Sequence, residues 1–572
     1  MNPDKLRLLI VGLALLIGLK GQAQLLPVGL PALEDYYRRE QLMGRVDSSL
    51  SFSIRPLTAS ALGRSNVFRV GSLADLSDSN SMYTFPDQQG YIQAQPLVWQ
   101  QQLNTKVPYG WNDGAMIPAK GYQLFISGGV FAKYKFLTVQ FRPEIVLAGN
   151  GIYEGFGGKQ GPSQDWYNSV GNVIDMPERF GNGAYGNIFW GQSSIKLNFD
   201  PIAFGLSTEN LWWGPGRFNS LTMTNNAPGF AHLTLNTTKP LRTPIGSFEA
   251  QLVVGRLDSS GYAPSLLGDG SIDHGTLYGV QKPDSWRYFS GLTFSYQPKW
   301  LPGLSLGMIR TMVANSADRG NRLGDYLPYL GAPTPIETVD ANGNVVIDER
   351  PRDQYSSVFF RFMMPKGHME FYGEYGRRDK AKNGRDLIVQ ADYARAYVLG
   401  FRKLIELKSI NGDLLEIGAE ATELSATNTI YQRGSRSWYT HPNVRHGYTQ
   451  KGQVLGAGIG PGSNVQTIHV SWIRDIKQLG LQFERLSHNE DLFYWNISDI
   501  RRQWSDLSVK AYGVWDLKPL IATASLQYIK SYNYQYKFEF PEDVPNNADN
   551  FWNFTPQRLT NWQLQLGLMY QF

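Results

Sequence analysis

Cysteine is absent from this 572-residue chain. That absence excludes disulfides, thiol nucleophiles and thiolate metal sites together, and it excludes a lipid-modified Cys after an export leader. Also missing is any run approaching ~18 uninterrupted apolar residues, so no helical membrane span is expected. A strong excess of one charge is lacking too. The chain carries 54 basic and 49 acidic side chains, for a net +5, which does not point to nucleic acid as a partner. Histidine is scarce, at seven. His441 and His446 have no third His or carboxylate at ligand spacing beside them, so no metal site is expected. No cofactor motif is found: the Gly-rich run Gly452–Ser463 lacks the Lys-Ser/Thr ending of a phosphate loop.

What is present begins with an export leader over residues 1–23. Lys5 and Arg7 supply its positive start, Leu8 to Leu19 its apolar stretch and Gly21-Gln22-Ala23 a small-x-small cleavage site after Ala23. The apolar stretch is about a dozen residues, too short to anchor a chain across a bilayer. Aromatics make up 13% of the chain, with 31 Tyr, 29 Phe and 15 Trp, alongside 59 Gly. Such a chain, aromatic and Gly-rich yet only moderately apolar, suits a barrel whose strands are greasy on one side.

The last twelve residues carry the sharpest pattern. Trp562, Leu564, Leu566, Leu568, Tyr570 and Phe572 fall on one face; Asn561, Gln563, Gln565, Gly567, Met569 and Gln571 fall on the other. Side chains alternate across a strand, and a tilted strand of about 9–11 residues crosses a bilayer core. Aromatics at both ends of the greasy face match the interfacial girdles of an outer-membrane barrel. An edge strand packed on a soluble core is the competing reading.

The same alternation recurs upstream. Leu137, Val139, Phe141, Ile145 and Leu147 interleave with Thr138, Gln140, Arg142, Glu144 and Val146. Phe371 and Tyr375 flank Glu370 and Glu374, and Leu415 to Ala421 interleave with Glu416 and Glu420. In a sandwich those carboxylates would face solvent; in a barrel they face a lumen. The stretches 148–190, 258–286, 311–354 and 425–465 are too long for tight turns and read as outer loops or loops folded into the pore. Asp340-Ala-Asn-Gly343 has the composition of a hairpin tip. Pro31 to Gly44 reads as a short helix, with Pro at its start, acids in its first turn and Gly at its end, expected in the periplasm ahead of the barrel. The predicted organisation is a signal peptide at 1–23, a periplasmic helical lead-in at 24–115 and an all-β, antiparallel transmembrane barrel at 116–572.

Two stretches could carry a ligand. Trp212 and Trp213 cannot both face lipid from one strand, and Gly214-Pro215-Gly216 interrupts any strand there. With Arg217, Asn225 and Asn226 they combine flat apolar faces and planar hydrogen-bonding groups, the pairing that sugars require. A plug loop whose Asn side chains satisfy its own turns explains the same residues. The second stretch holds Trp438, Tyr439, His441 and Arg445. Acid/base pairs for glycan cleavage are poorly served: Glu370/Glu374 and Glu416/Glu420, at i and i+4 of one strand, stand ~13 Å apart at ~3.3 Å per residue, beyond the roughly 5–9.5 Å that glycosidases use. No enzyme is expected.

Trp213-Gly-Pro with Asn219-Ser-Leu221 and Asn225-Asn-Ala-Pro228 resembles the Wzi-type capsule assembly family. So does Gly447-Tyr-Thr449 running through Gly452-Gln-Val-Leu-Gly456 to Ile459-Gly-Pro-Gly-Ser463, and so, more weakly, does Glu370 to Gly376. The resemblance runs in order from about Ile117 to the carboxy terminus. It departs from better-known enterobacterial members in a longer 311–354 loop and a shorter helical lead. It implies about 18 strands, inward-folded loops and a lectin-like role in holding capsular or other surface polysaccharide at the outer membrane. The alternative from the same residues is a porin or substrate-specific channel, since inward Glu and Arg also suit a selective pore. Expected partners are polysaccharide, outer-membrane lipid and, through the strand ending at Phe572, the barrel-assembly machinery.

Overall fold

The computed structural model describes residues 25–63, 67–68, 82–156, 170–262, 264, 282–328, 335–339, 345–349, 351–378, 384–408, 412–427, 435–541 and 548–571. The leader, the Asp340–Gly343 tip and Phe572 lie outside the described residues.

Alternation dictates a sheet, and the sheet closes. Its staves are β1 (Gly90–Asn104), β2 (Gly121–Tyr134), β3 (Leu137–Phe141 and Glu144–Ala148), β4 (Tyr185–Phe189 and Ser194–Asn198), β5 (Ile202–Ser207) and β6 (His232–Thr237 and Leu241–Thr243). They continue as β7 (Gly246–Leu257), β8 (Arg287–Pro298), β9 (Leu304–Asn315), β10 (Asp353–Met364), β11 (Met369–Arg378) and β12 (Arg395–Glu406). The last six are β13 (Asp413–Glu423), β14 (Asn464–Arg474), β15 (Lys477–Ser487), β16 (Ser505–Asp516), β17 (Leu520–Tyr532) and β18 (Leu559–Tyr570). All neighbours pair antiparallel, and β18 returns to β1 with Gln563 opposite Asn104 and Tyr570 opposite Leu97. The result is a closed barrel of 18 strands, which removes every sheet edge. Among the described residues no helix is long and apolar enough to cross a membrane; strands do the spanning.

The terminal strand shows the division of faces. Trp562, Leu564, Leu566 and Leu568 are exposed on the outside, while Asn561 and Gln563 are buried on the inside. Elsewhere Leu479, Leu481, Phe483, Leu507 and Val509 form the same outer apolar band. Glu370, Glu374, Glu416 and Glu420 all point inward and are buried, so the lumen reading of the charged face holds and the sandwich reading fails.

Two expectations are corrected. The wall begins at Gly90 rather than near 116, because β1 is a full stave between β18 and β2. A register shift between Gln95 and Val98 offsets the two halves of its alternation, and the Gln100-Gln101-Gln102 run erases the apolar period. The helix α1 (Pro31–Leu42) forms where predicted, with Pro at its first turn and Gly44 just past its end at φ 75°, a left-handed conformation that suits Gly. Yet it does not stand clear of the barrel. Residues Tyr36 to Leu42 are buried because the helix lies inside the lumen. Leu42 packs with Met363, Leu404 and Ile473 near the short-turn end. The helix's charged side chains meet a charged wall, and its apolar ones, Leu33, Tyr36 and Tyr37, share a cluster with the inward wall residues Val98, Val514 and Ile521.

The long-loop end is filled differently. Side chains from loops between the staves converge on one apolar cluster that includes Ile174, Trp213, Leu221, Phe230, Trp438, Tyr439, Tyr448 and Leu455. Inward-folded loops are therefore present as expected, and with α1 they fill much of the lumen. A small hairpin, Pro335–Val339 with Val345–Glu349, also forms around the predicted tip.

Candidate functional site

The motif around Trp213 is held from the barrel wall. Glu420 accepts hydrogen bonds from three consecutive backbone amides, Arg217 at 2.7 Å, Phe218 at 3.1 Å and Asn219 at 2.8 Å, and from the Tyr372 hydroxyl at 2.9 Å. Glu374 accepts from Ser220 Oγ at 2.9 Å, the Leu221 amide at 3.1 Å and Ser357 Oγ at 2.7 Å. A turn built on Gly214-Pro215-Gly216 leaves its amides without helix or ladder partners, and buried amides need acceptors. The wall glutamates supply them. Trp213 itself is fully buried, its Nε1 donating to Gln251 at 2.8 Å.

The same loop meets the N-terminal segment. Trp212 and Trp213 pair as a two-residue ladder with Arg55 and Ile54, and the Arg55 guanidinium lies 4.4 Å over the Trp212 ring. Arg217 bridges Asp35 of α1 at 2.7 Å and Glu416 of β13 at 2.8 Å. Burial pushes the Asp35 carboxyl up, but Arg217 and Arg402 outweigh it and hold it below the ordinary carboxylate range. Glu370 gathers Arg38 at 2.9 Å, Arg361 at 2.6 Å and Arg402 at 3.0 Å. His469 of β14 bonds Glu416 at 3.1 Å, while Ser471 Oγ accepts from Gln478 at 2.9 Å. Every carboxylate considered for acid/base work is engaged in fastening the plug.

Beside this network is a cavity of about 420 Å³, within the usual range for small-ligand sites. It is bounded by residues 27–35 with Arg38, by the inward faces of β1–β3 and β15–β18, and by the loop 105–120. That loop is clipped to the terminal strand: the Tyr109 carbonyl accepts from Gln102, Asn104 and Gln563 at 2.8–3.1 Å, and Asp113 accepts from Gln565 at 3.2 Å. Burial pushes the Asp113 carboxyl up to about 6 against the lowering pull of Lys510. Trp212, Arg217 and Asn225 line the cavity. Asn225 is held by Asn210 at 2.8 Å and by the Asn112 carbonyl at 2.9 Å.

The second stretch sits at the long-loop end. Trp438 is buried and donates to the Ala394 carbonyl at 3.0 Å. Tyr439 is buried too, donating to the Leu221 carbonyl at 2.8 Å and accepting from the Ala457 amide at 2.9 Å. Both belong to the plug core with Tyr448, whose ring centroid lies 4.7 Å from that of Tyr355 on the wall stave β10. His441 and Arg445 are partly exposed on its outer side. His441 Nδ1 accepts the Val444 amide at 2.9 Å, and Arg445 bonds Asn172.

The predicted set thus divides. Trp213, Trp438 and Tyr439 have no face open to a ligand, which corrects the expectation that they contact glycan; tertiary closure turned their aromatic faces onto one another. Asn226 fastens loops, bonding the Val454 carbonyl at 2.9 Å and the Asn112 amide at 3.1 Å. Trp212, Arg217 and Asn225 meet at the cavity, and His441 and Arg445 lie apart at the outer surface. Arg142, Glu144 and Asp113 were missed. The signal for the first two was the Arg142-Pro143-Glu144 break in an otherwise alternating stave. Among the described residues no group of three His, Asp or Glu could hold a metal.

The family model for capsule assembly protein Wzi matches residues 156–539. Among solved structures the fold is similar to Wzi of Escherichia coli, described as an outer membrane protein involved in group 1 capsule assembly and a carbohydrate-binding β-barrel. Identity is 14%, with 96% of this chain and 100% of that chain covered and a TM-score of 0.57. A BenF-like porin of Pseudomonas fluorescens Pf-5 aligns at 8% identity over 84% and 99% of the two chains, with a TM-score of 0.37. OccK7 of Pseudomonas aeruginosa aligns at 9% over 83% and 98%, with a TM-score of 0.38. No curated protein matches by sequence.

Proposed function

The chain belongs to the capsule assembly protein Wzi family and folds as an outer-membrane β-barrel, and from that premise we propose that it binds capsular or other surface polysaccharide and helps assemble or retain it at the cell surface. The observation that carries this reading is a lumen largely filled by the chain's own helix and loops within a member of that family. The barrel is filled from one end by α1 and from the other by loops whose amides are tied to wall glutamates. Such a barrel holds a rigid outer face rather than a conduit. His441 and Arg445 are the proposed surface contacts; Trp212, Arg217 and Asn225 are proposed for the lumen side. The protein performs no catalysis in this reading, its inward carboxylates being salt-bridged or hydrogen-bonded. β18, with its aromatic and aliphatic outer face, is the proposed signal to the barrel-assembly machinery.

The test is a clean deletion with complementation. Deletion should shed polysaccharide into the medium without stopping its synthesis, and the purified barrel should bind the polysaccharide of its own strain. Normal cell-bound polysaccharide in the deletion strain would overturn the reading. Stable conductance steps in planar bilayers would favour a channel instead.

A further inference from the structure

Within the lumenal cavity, one corner holds polar atoms that the protein leaves unused. Arg142 and Glu144 of β3, Ser127 of β2 and Trp212 of the plug loop all line it, and each is at least nine-tenths buried. Arg142 Nε and Nη1, Glu144 Oε2, Ser127 Oγ and Trp212 Nε1 have no hydrogen-bond partner. Buried donors and acceptors are normally satisfied, and leaving one unmade costs ~1–3 kcal/mol. Five such atoms on residues lining one cavity are a cost that a ligand would relieve.

The fold brings them together for identifiable reasons. Ser127 and Glu144 are register partners across β2 and β3. Arg142 lies where β3 is interrupted by Pro143 and stands beside Gly129, a position where a Cβ would come within 2.9 Å of the Arg142 Cα. Gln192 of β4 holds Glu144 Oε1 at 2.8 Å, which fixes the carboxylate with its second oxygen free. Trp212 is held by its backbone ladder with Arg55 and by the Arg55 guanidinium 4.4 Å over its ring.

The charges decide the ligand class. The cavity lining holds five cations (Arg38, Arg55, Arg142, Arg217, Lys510) and five anions (Glu34, Asp35, Asp113, Glu144, Glu484). An anion would meet no net attraction there. A neutral polyol would find a guanidinium, an indole N–H and a hydroxyl as donors, and a carboxylate oxygen as acceptor, which is what adjacent sugar hydroxyls need. We propose that this corner, formed by Arg142, Glu144, Ser127 and Trp212, is a lumenal subsite for a single neutral sugar residue. It deepens the polysaccharide-binding reading and rests on it for the source of the sugar.

The test uses the full mature barrel purified in detergent, with D-galactose, D-glucose and D-glucuronate as probes in saturation-transfer NMR. The neutral hexoses should bind and glucuronate should bind more weakly. Arg142→Gln and Glu144→Gln should each weaken neutral binding by about tenfold or more. Ser127→Leu, which fills the corner, should abolish it. Heat-modifiable migration of each variant shows that the barrel is intact. Absence of hexose binding, a preference for glucuronate, or undiminished binding by a folded Ser127→Leu barrel would overturn the subsite. Polysaccharide retention by the deletion strain separates the two claims. Retention lost on deletion without hexose binding sinks only the subsite. Normal retention alongside hexose binding that the variants abolish sinks only the surface role.

Discussion

The two ends of the lumen differ in what marks their filling, buried ion pairs at one and an aromatic core at the other. At the short-turn end, α1 brings Arg38 and Asp35 against Glu370, Arg361, Arg402 and Glu416. At the long-loop end, Trp213, Tyr355, Trp438, Tyr439 and Tyr448 exclude water from an aromatic core. The difference follows from what each filler must meet. A helix entering from a terminus sets its charged face against charged wall residues, while Leu33, Tyr36 and Tyr37 share an apolar cluster with the inward wall residues Val98, Val514, Ile521 and Met569. Loops that fold over one another bury apolar surface mutually and against inward apolar wall residues such as Val253, Phe289, Ile309, Tyr355 and Val398, and they take acceptors for their backbone amides from wall glutamates. An ionic half depends on complete partnership, since a buried charge left alone is costly. An aromatic half depends on volume.

The sharpest way to break this contrast is Glu370→Ala, which takes the paired carboxylate from Arg38 and Arg361 and one of three from Arg402. A loss of ~3–5 kcal/mol is expected, read as release of α1, with protease cleavage near Met43 and the onset of conductance. A barrel that stays sealed would show the helix is held by packing instead. Trp213→Ala attacks the other half. A loss of ~3–5 kcal/mol is expected from the cavity it leaves, confined to the loops, with heat-modifiable migration of the barrel preserved. Glu420→Gln weakens the link between wall and plug, replacing a charged acceptor of three amides; ~1–3 kcal/mol is expected, measured by hydrogen exchange at residues 217–219.

A milder probe is acid. Burial and the Arg287 guanidinium push the His446 imidazole down to about 4. A value below the unfolded 6.5 means that stability present above pH 6.5 is lost as pH falls towards 4. Exchange in 435–463 should therefore quicken across that window, and His446→Gln should flatten the dependence. The smallest structural effect belongs to His441→Ala with Arg445→Ala, expected within about 0.5 kcal/mol, while cell-bound polysaccharide falls. Unchanged retention would remove those two residues from the proposed surface contacts.

Most of the wall was legible because period two survives in β3, β11, β13 and β18, where one face meets lipid and the other does not. The first stave was not, since a register shift at Gln95 and Val98 and three consecutive Gln hide its period. The helix was legible from Pro31 and Gly44, but its address was not: its charged faces suit water and a charged lumen equally well. The Trp and Asn motif was readable as either lectin or plug, and it is largely plug, because burial depends on loops some 200 residues away such as that carrying Tyr439 and Leu455.

By itself the sequence determined the membrane-spanning β architecture, since alternation is a local property of neighbouring residues. Tertiary structure alone decided which polar groups were consumed and which were left over. Glu420 and Glu374 found partners in a loop, whereas Nε and Nη1 of Arg142, the Ser127 hydroxyl and one oxygen of Glu144 found none. Hydrogen-bond satisfaction depends on what closes over a residue in space, and no spacing along the chain encodes it.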